Sequence, residues 1–137
     1  MEPAPIRATP GGCCYWEMIA SIKKRPGEGK NALLALLSVA EVKLAIVTDD
    51  DINIFDPDEL EWALTFRVRA DRDVLIVPGG RGKHIDPSVR SWELGKAGLP
   101  VSAKLGIDAT IPEGVPRAKD ERVQYFLKDR VRPEDYA

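Results

Sequence analysis

The sequence predicts an α/β fold: a single three-layer domain with a short, mainly parallel sheet built from β-α-β units, plus a helix near the carboxyl terminus. Three observations lead to this prediction. The chain has 137 residues, of which 44% are hydrophobic, as in one compact globular domain. Short apolar runs alternate with helical stretches, which is the pattern of parallel β-α-β units. Two of these runs, residues 44–47 and 74–77, are apolar at every position, as expected for strands that helices cover on both faces.

The predicted elements follow one another in a regular order. Residues 1–12 are an extended lead-in without a hydrophobic period, residues 13–112 form the α/β domain, and residues 113–137 form a tail. The predicted strands cover residues 15–22, 44–48, 74–77 and 103–112, the last as a strand or an extended arm. The predicted helices cover residues 31–39, 58–68, 121–130 and a short stretch from Asp86 or Ser88 to about Gly95.

The helix over residues 58–68 has the clearest start signal. Asp56 suits the N-cap position, where its carboxylate accepts a hydrogen bond from a free backbone N–H group. Pro57 suits the first helical position, and Glu59 completes a capping box in which its carboxylate reaches back to the N-cap. We expect these carboxylates to stabilise the helix by about 1 kcal/mol.

Charge and cysteine content narrow the possible partners and location. The net charge is −2, so there is no basic excess to neutralise a nucleic-acid backbone. No apolar run is long enough to cross a bilayer, and no secretory signal is recognisable. Cys13 and Cys14 are adjacent and lack the spacing of a zinc site. We therefore expect a cytoplasmic protein with reduced thiols that binds neither nucleic acid nor membrane.

Three polar segments follow predicted strands, at residues 23–31, 49–56 and 78–88. Because right-handed β-α-β units place the carboxyl ends of parallel strands at one edge of the sheet, we expect the segments to meet there. The first, KKRPGEGKN, combines glycines, cations and a helix start, which together favour a phosphate. Its cations are Lys23, Lys24, Arg25 and Lys30. The alternative is a solvated, charged turn, since the segment lacks the Walker pattern.

The second segment begins with three consecutive aspartates, residues 49–51. A calcium loop is excluded, because Ile54 and Leu60 stand where that loop needs a glycine and a glutamate. A magnesium or phosphotransfer site is an alternative, although no Ser, Thr or Lys partner follows at a familiar spacing. The favoured interpretation is structural: the carboxylates accept hydrogen bonds from loop N–H groups, or from Arg67 or Arg72, and fix the turn.

The third segment holds the only histidine of the chain, His84. A lone loop histidine is more often solvated than catalytic. No Ser-His-Asp or Cys-His set can be assembled around it. The sequence therefore assigns no catalytic residue and no metal ligand.

Taken in order, these segments resemble the carboxyl-terminal domain of UbiD-type carboxy-lyases. The resemblance covers about residues 10–112, whereas the tail from Glu113 onward carries no family pattern. The matching stretches are PGGCCYWEMIASIKKRPGEGKN, KLAIVTDDDINIFDPDELEWALTFRVRADRDVLIV, HIDPS and SAKLGIDATIP. By this resemblance the aspartates lie in a structural turn, away from the metal ligands of the family.

The resemblance also implies a function. The family uses prenylated flavin mononucleotide (prenylated FMN) to decarboxylate, or reversibly carboxylate, aromatic and unsaturated acids. Its catalytic Glu-Arg-Glu set, metal ligands and most flavin contacts lie in an upstream domain, and nothing in this sequence matches that region. Lys23, in the stretch ASIKK, matches the family position that reaches the flavin phosphate.

The implied role is therefore a shared one. We expect a small subunit, or a carboxyl-terminal domain, that forms homo-oligomers and closes one side of the cofactor cleft beside a UbiD-like large catalytic chain. The isolated chain is expected to lack both the cofactor and catalysis. The alternative is a stand-alone oligomerising scaffold or interaction module without catalysis.

Overall fold

The computed structural model describes residues 6–11, 14–22, 25, 27–84, 86, 88–89, 100–112 and 114–116, with side chains from residue 25 onward. The strands are β1 (Ile6–Gly11), β2 (Cys14–Ile22), β3 (Leu44–Asp49), β4 (Val74–Arg81) and β5 (Val101–Ala109). The helices are α1 (Glu28–Leu37), α2 (Pro57–Phe66) and the four-residue α3 (Ala70–Asp73). Within this described part, no helix is long and apolar enough to cross a membrane.

The strands form one mixed sheet in the order β1-β2-β3-β5-β4. The three central strands, β2, β3 and β5, run parallel, and each edge strand pairs antiparallel with its neighbour. Ile46 of β3 lies between Ile19 of β2 and Ile107 of β5. The stretch over residues 103–112, predicted as a strand or an extended arm, thus supplies a central strand.

Two apolar cores lie on opposite faces of β3, because successive side chains of a strand point to opposite sides. On one face, Leu33 of α1 belongs to the same buried cluster as Val47. On the other face, Leu60 of α2 belongs to the same cluster as Ile46. The predicted three-layer α/β architecture is confirmed, and β3 is covered on both sides as its sequence predicts.

Strand β4 departs from the prediction for residues 74–77. It is an antiparallel edge strand, and Ile76 is 64% exposed instead of being covered on both faces. The connection explains the difference. After α2 the chain passes through α3 and reaches the carboxyl end of β5, where Val74 pairs with Ile107. From that edge the chain runs back along the sheet, so β4 is antiparallel.

The start of α2 agrees with the sequence in part. Asp56 is the N-cap, and its carboxylate accepts a hydrogen bond from the N–H of Asp58 at 3.0 Å, as predicted. The predicted capping box is replaced by a different arrangement. The N–H of Asp56 donates to the carbonyl of Asn53 at 2.9 Å, and the Glu59 carboxylate accepts from the N–H of Asn53 at 2.7 Å. Glu59 therefore ties the helix to the loop that follows β3.

Of the remaining predicted helices, one lies fully within the described residues. The one predicted over residues 31–39 is α1, which begins earlier, at Glu28. The predicted helix over residues 121–130 lies outside the described residues. So does most of the stretch predicted as a helix from Asp86 or Ser88 to Gly95.

A buried lysine holds the carboxyl end of α1. The Lys104 side chain is 5% exposed, and its Nζ donates hydrogen bonds to the carbonyls of Leu37 at 2.8 Å and Val39 at 2.5 Å. Burial lowers the pKa of Lys104. The last carbonyls of a helix have no hydrogen-bond partner within the helix. Lys104 donates hydrogen bonds to the carbonyls at this end of α1, where a positive charge is also favourable.

A second polar contact, around Asp86, holds the segment after β4. Asp86 is buried and accepts hydrogen bonds from Lys43 Nζ at 3.1 Å and from both the N–H and the hydroxyl of Ser88, at 2.9 and 2.7 Å. Burial opposes the charged form of Asp86, but these hydrogen bonds outweigh it and lower the pKa. The contact therefore contributes stability above the ordinary pKa of aspartate and loses it as the pH falls through the lowered pKa.

Candidate functional site at the carboxyl edge of the sheet

The ends of the parallel strands lie side by side at one edge of the sheet. Ile22 at the end of β2 pairs with Asp49 of β3, and Thr48 pairs with Ala109 at the end of β5. The segments that follow β2 and β3 therefore leave the sheet at the same edge, as predicted. In an α/β sheet this edge is where ligands usually bind.

The third predicted segment, residues 78–88, does not join them. Gly80 pairs with Ser102, and Arg81 with Val101, at the amino end of β5. The prediction that all three segments meet is wrong because β4 runs antiparallel. Residues 108–111, at the end of β5, occupy the third place at the carboxyl edge.

The start of α1 is fixed by a tight turn. The N–H of Arg25 donates to the Glu28 carboxylate at 2.8 Å, and the N–H of Glu28 donates to the carbonyl of Arg25 at 3.1 Å. Gly27 has a φ of 80°, a left-handed conformation that glycine adopts without strain. The basic segment therefore ends in a turn that is hydrogen-bonded to the helix it precedes.

A close approach joins the first turn of α1 to β5. A β-carbon built on Gly29 would lie only 2.6 Å from Oδ2 of Asp108 and 2.8 Å from its Oδ1. The Asp108 carboxylate is held in place by Thr110, whose N–H and hydroxyl donate to Oδ1 at 3.1 and 2.6 Å. A side chain at position 29 would require the Asp108 carboxylate to move from the place where Thr110 holds it.

The three consecutive aspartates have different surroundings. Asp49 is fully buried, and its Oδ2 accepts a hydrogen bond from the N–H of Ile111 at 2.6 Å, which ties β3 to the segment after β5. Asp50 is exposed. Asp51 lies against Arg67. The side chains of Asp49 and Asp51 thus contact separate parts of the fold.

The Asp51–Arg67 contact anchors the turn to the end of α2. Arg67 donates from both terminal nitrogens to the two oxygens of Asp51, at 3.1 and 2.6 Å. The Arg67 side chain is 1% exposed, and its guanidinium lies 5.1 Å from the centre of the Trp62 ring. The structural interpretation of the aspartate run, with Arg67 and a loop N–H as donors, is confirmed.

The alternative partner, Arg72, is bound elsewhere. It donates to both oxygens of the neighbouring Asp73, at 2.7 and 2.8 Å. The hydrogen bond from Arg72 is the main reason why the pKa of Asp73 is lowered. Of the two arginines predicted as alternative partners, Arg67 is therefore the one that binds the aspartate run.

Comparison with known proteins identifies the fold family. Residues 4–109 match the family of the 3-octaprenyl-4-hydroxybenzoate carboxy-lyase C-terminal domain. The chain belongs to this family. It is also 44% identical, over 108 residues, to the anhydromevalonate phosphate decarboxylase of Methanothermobacter thermautotrophicus, a match that covers 76% of this chain and 23% of that protein.

Solved structures of the UbiD class share the fold of this domain. The UbiD-class enzyme HmfF from Pelotomaculum thermopropionicum, in complex with FMN, superposes with a TM-score of 0.72 at 44% identity. That match covers 96% of this chain and 28% of the other. An evolved dimeric form of HmfF in complex with prFMN gives a TM-score of 0.60 at 37% identity, over 96% of this chain and 25% of that one. The chain thus spans about a quarter of the length of these relatives.

The structure describes only some of the sequence-predicted site residues, and only some of those lie at the carboxyl edge. Lys23 and Lys24 lie outside the described residues, so the role of Lys23 stays a prediction. Arg25 and Lys30 are exposed at the carboxyl edge, whereas His84 is exposed in the segment after β4, away from that edge. Among the residues whose side chains are described, no cluster of three or more His, Cys, Asp or Glu could hold a metal ion.

Sequence reasoning assigned no role to Asp108, Thr110 or Gly29. The first two belong to the stretch KLGIDATIP, which the family resemblance singled out without indicating what it contacts. The spacing Asp-x-Thr is itself a local signal, because an aspartate often accepts hydrogen bonds from the residue two positions later. The contact with Gly29 has no such signal, since 79 positions of sequence separate the partners.

Proposed function

We propose that this chain acts as the small subunit or carboxyl-terminal domain of a UbiD-type decarboxylase that uses prenylated FMN on aromatic or unsaturated acids. The reaction includes the reverse carboxylation. The observation that carries the proposal is the family match over residues 4–109. It is supported by relatives that are decarboxylases and by FMN and prFMN complexes of the same class.

The proposed contribution to catalysis is one wall of the cofactor cleft, at the carboxyl edge of the sheet. The chemistry of this edge suits a phosphate group, because exposed cations, Arg25 and Lys30, flank a turn that leads into a helix start. Lys23, which follows β2 in the sequence, would hold the flavin phosphate. When bound, the flavin supplies the group that takes up the electron pair released as the bond to the carboxylate breaks.

The proposed second contribution is self-association. Cross-strand partners share a face of the sheet, and in β4 and β5 the facing pairs Val74–Ile107 and Ile76–Leu105 are all apolar. Ile76 is 64% exposed, and the other three side chains are half-buried. A continuous apolar strip at an edge strand is typical of a surface that another protein covers.

The acid–base chemistry of the reaction is assigned to the rest of the enzyme. We propose that a UbiD-like large catalytic chain, in the cytoplasm, supplies the general acid and base. The alternative function, a scaffold that only self-associates, is favoured by the same apolar strip. Flavin retention distinguishes the decarboxylase component from the scaffold, because a scaffold without catalysis needs no cofactor.

The experiment is a flavin-retention assay on the assembled enzyme, with this chain fused to or expressed with a UbiD-type catalytic chain. Lys23→Gln is expected to weaken flavin retention about tenfold, because it removes a charge-assisted hydrogen bond to the phosphate. Arg81→Gln is the matched control, since it removes the same charge from an exposed position at the opposite edge. Equal retention by wild type and Lys23→Gln would contradict the proposed cofactor contact.

A further inference from the structure

Two cavities at the amino edge of the sheet share part of their lining. The inner recess, whose lining includes Lys43, Lys83, Ser102 and Lys104, has a volume of about 10 Å³, close to the space that one water molecule needs. The outer cavity is open to solvent and has a volume of about 470 Å³. Because Lys43 and Ser102 line both, a molecule in the outer cavity lies next to the recess.

The wall of the recess is held by two ion pairs that join the same two segments of the chain. Glu41 pairs with Lys83 at 2.9 Å, and Asp86 pairs with Lys43 at 2.9 Å. The two carboxylates among the described lining residues are therefore each bound to a lysine. The third lysine of the recess, Lys104, forms no ion pair with a carboxylate in the described part of the chain.

The buried cation of Lys104 indicates a negatively charged ligand. Lys104 is 5% exposed, and its Nζ donates two hydrogen bonds to backbone carbonyls, whereas an ammonium group can donate three. A buried charge is costly unless an opposite charge lies close to it. Burial lowers the pKa of Lys104, and the attraction of the Glu41 carboxylate does not offset this effect. A negative group in the recess would supply the missing opposite charge.

The shape of the two cavities favours a carboxylate over a phosphate. The recess has room for about one oxygen atom, whereas a phosphate group presents three. The Ser102 hydroxyl makes no hydrogen bond to any other described residue, and a β-carbon at Gly82 would lie 3.1 Å from its Oγ, so glycine leaves that side of the hydroxyl open. The outer cavity, lined by Val101 and Ala103 among others, has the size of a small-molecule pocket.

We propose that the amino edge of the sheet binds a small organic acid through its carboxylate. One carboxylate oxygen occupies the inner recess, where Lys104 supplies the positive charge and the Ser102 hydroxyl donates a hydrogen bond. The rest of the acid lies in the outer cavity, beside Val101 and Ala103. This site is at the edge opposite the proposed flavin contact, so it stands independently of the proposed function.

Titration of the 137-residue chain with butyrate tests the proposal through the backbone amide chemical shifts of Gly80, Gly82 and Ser102. Butyramide is the matched control ligand, because it has nearly the same size and no charge. We expect butyrate to move these shifts along a saturable curve. Butyramide, and inorganic phosphate at the same ionic strength, are expected to cause no saturable change. An equal response to butyramide or to phosphate would show that the site does not select a carboxylate, and the proposal would be wrong.

Substitutions assign the binding to the two named side chains. Ser102→Ala is expected to weaken butyrate binding about tenfold, because it removes a hydrogen bond to a charged group. Ser38→Ala, which removes the hydroxyl of an exposed serine outside the cavities, is the matched control and should bind as the wild type does. Lys104→Met should abolish binding, and if this variant does not fold, Ser102→Ala decides alone. The proposal is overturned if butyrate causes no saturable change in the wild type, or if Ser102→Ala binds butyrate as tightly as Ser38→Ala.

Discussion

Replacing Arg67 by methionine is expected to lower the free energy of unfolding by about 3 kcal/mol. The guanidinium is 1% exposed, it makes two hydrogen bonds to Asp51, and it lies over the Trp62 ring. Breaking a buried ion pair by removing one partner typically costs about 3–5 kcal/mol. The lower end applies because the Asp51 side chain is 34% exposed and water can solvate it once Arg67 is gone.

Urea unfolding of the wild type and the variant measures this effect, provided that the m value, the slope of the free energy of unfolding against urea concentration, is unchanged. Arg69→Met is the matched control. Arg69 donates to Asp71 through two nitrogens in a similar way, but those side chains are 65% and 68% exposed. An exposed pair contributes less than about 1 kcal/mol. Equal losses for Arg67→Met and Arg69→Met would show that the buried pair does not anchor the turn.

Replacing Asp49 by alanine is expected to cost about 2–3 kcal/mol, although the adjacent Asp50→Ala changes stability by no more than about 0.5 kcal/mol. Asp49 is fully buried and accepts a 2.6 Å hydrogen bond from the N–H of Ile111, whose side chain is also buried. Alanine leaves that donor without its acceptor. Asn at position 49 retains one oxygen, so Asp49→Asn should lose less than Asp49→Ala.

The measurement is again the urea midpoint, compared across the Asp49 and Asp50 variants. Hydrogen exchange at the Ile111 amide provides a local check, because its protection depends on the Asp49 carboxylate. If Asp50→Ala proved as damaging as Asp49→Ala, the structural division of the aspartate run would be incorrect.

The fold could be predicted from sequence where local patterns match the final contacts. Residues 44–47 are apolar throughout, and β3 is buried on both faces. Asp56 and Pro57 indicate a helix start, and α2 begins at Pro57. Residues 74–77 have the same apolar character as β3, yet β4 lies at an edge with Ile76 exposed. Periodicity does not report strand direction, and the surface that covers an edge strand can come from another protein.

The candidate site was predictable to a similar extent. The Arg67–Asp51 pair could be anticipated because a buried-looking acidic turn needs donors, and Arg67 stands at the end of the following helix. The Gly29–Asp108 contact could not be predicted. β4 precedes β5 in the chain, yet β5 lies beside β3 within the sheet and β4 lies at the edge. Strand order is decided by long-range pairing, which no local pattern contains.

The proposed role of this domain is to take part in decarboxylation without performing it by itself. The most direct measurement is carbon dioxide release from a panel of aromatic and unsaturated acids in the presence of prenylated FMN. The isolated chain is expected to release none above the buffer, whereas the chain assembled with a UbiD-type catalytic partner is expected to release it at a measurable rate. Carbon dioxide release by the isolated 137-residue chain would contradict this account.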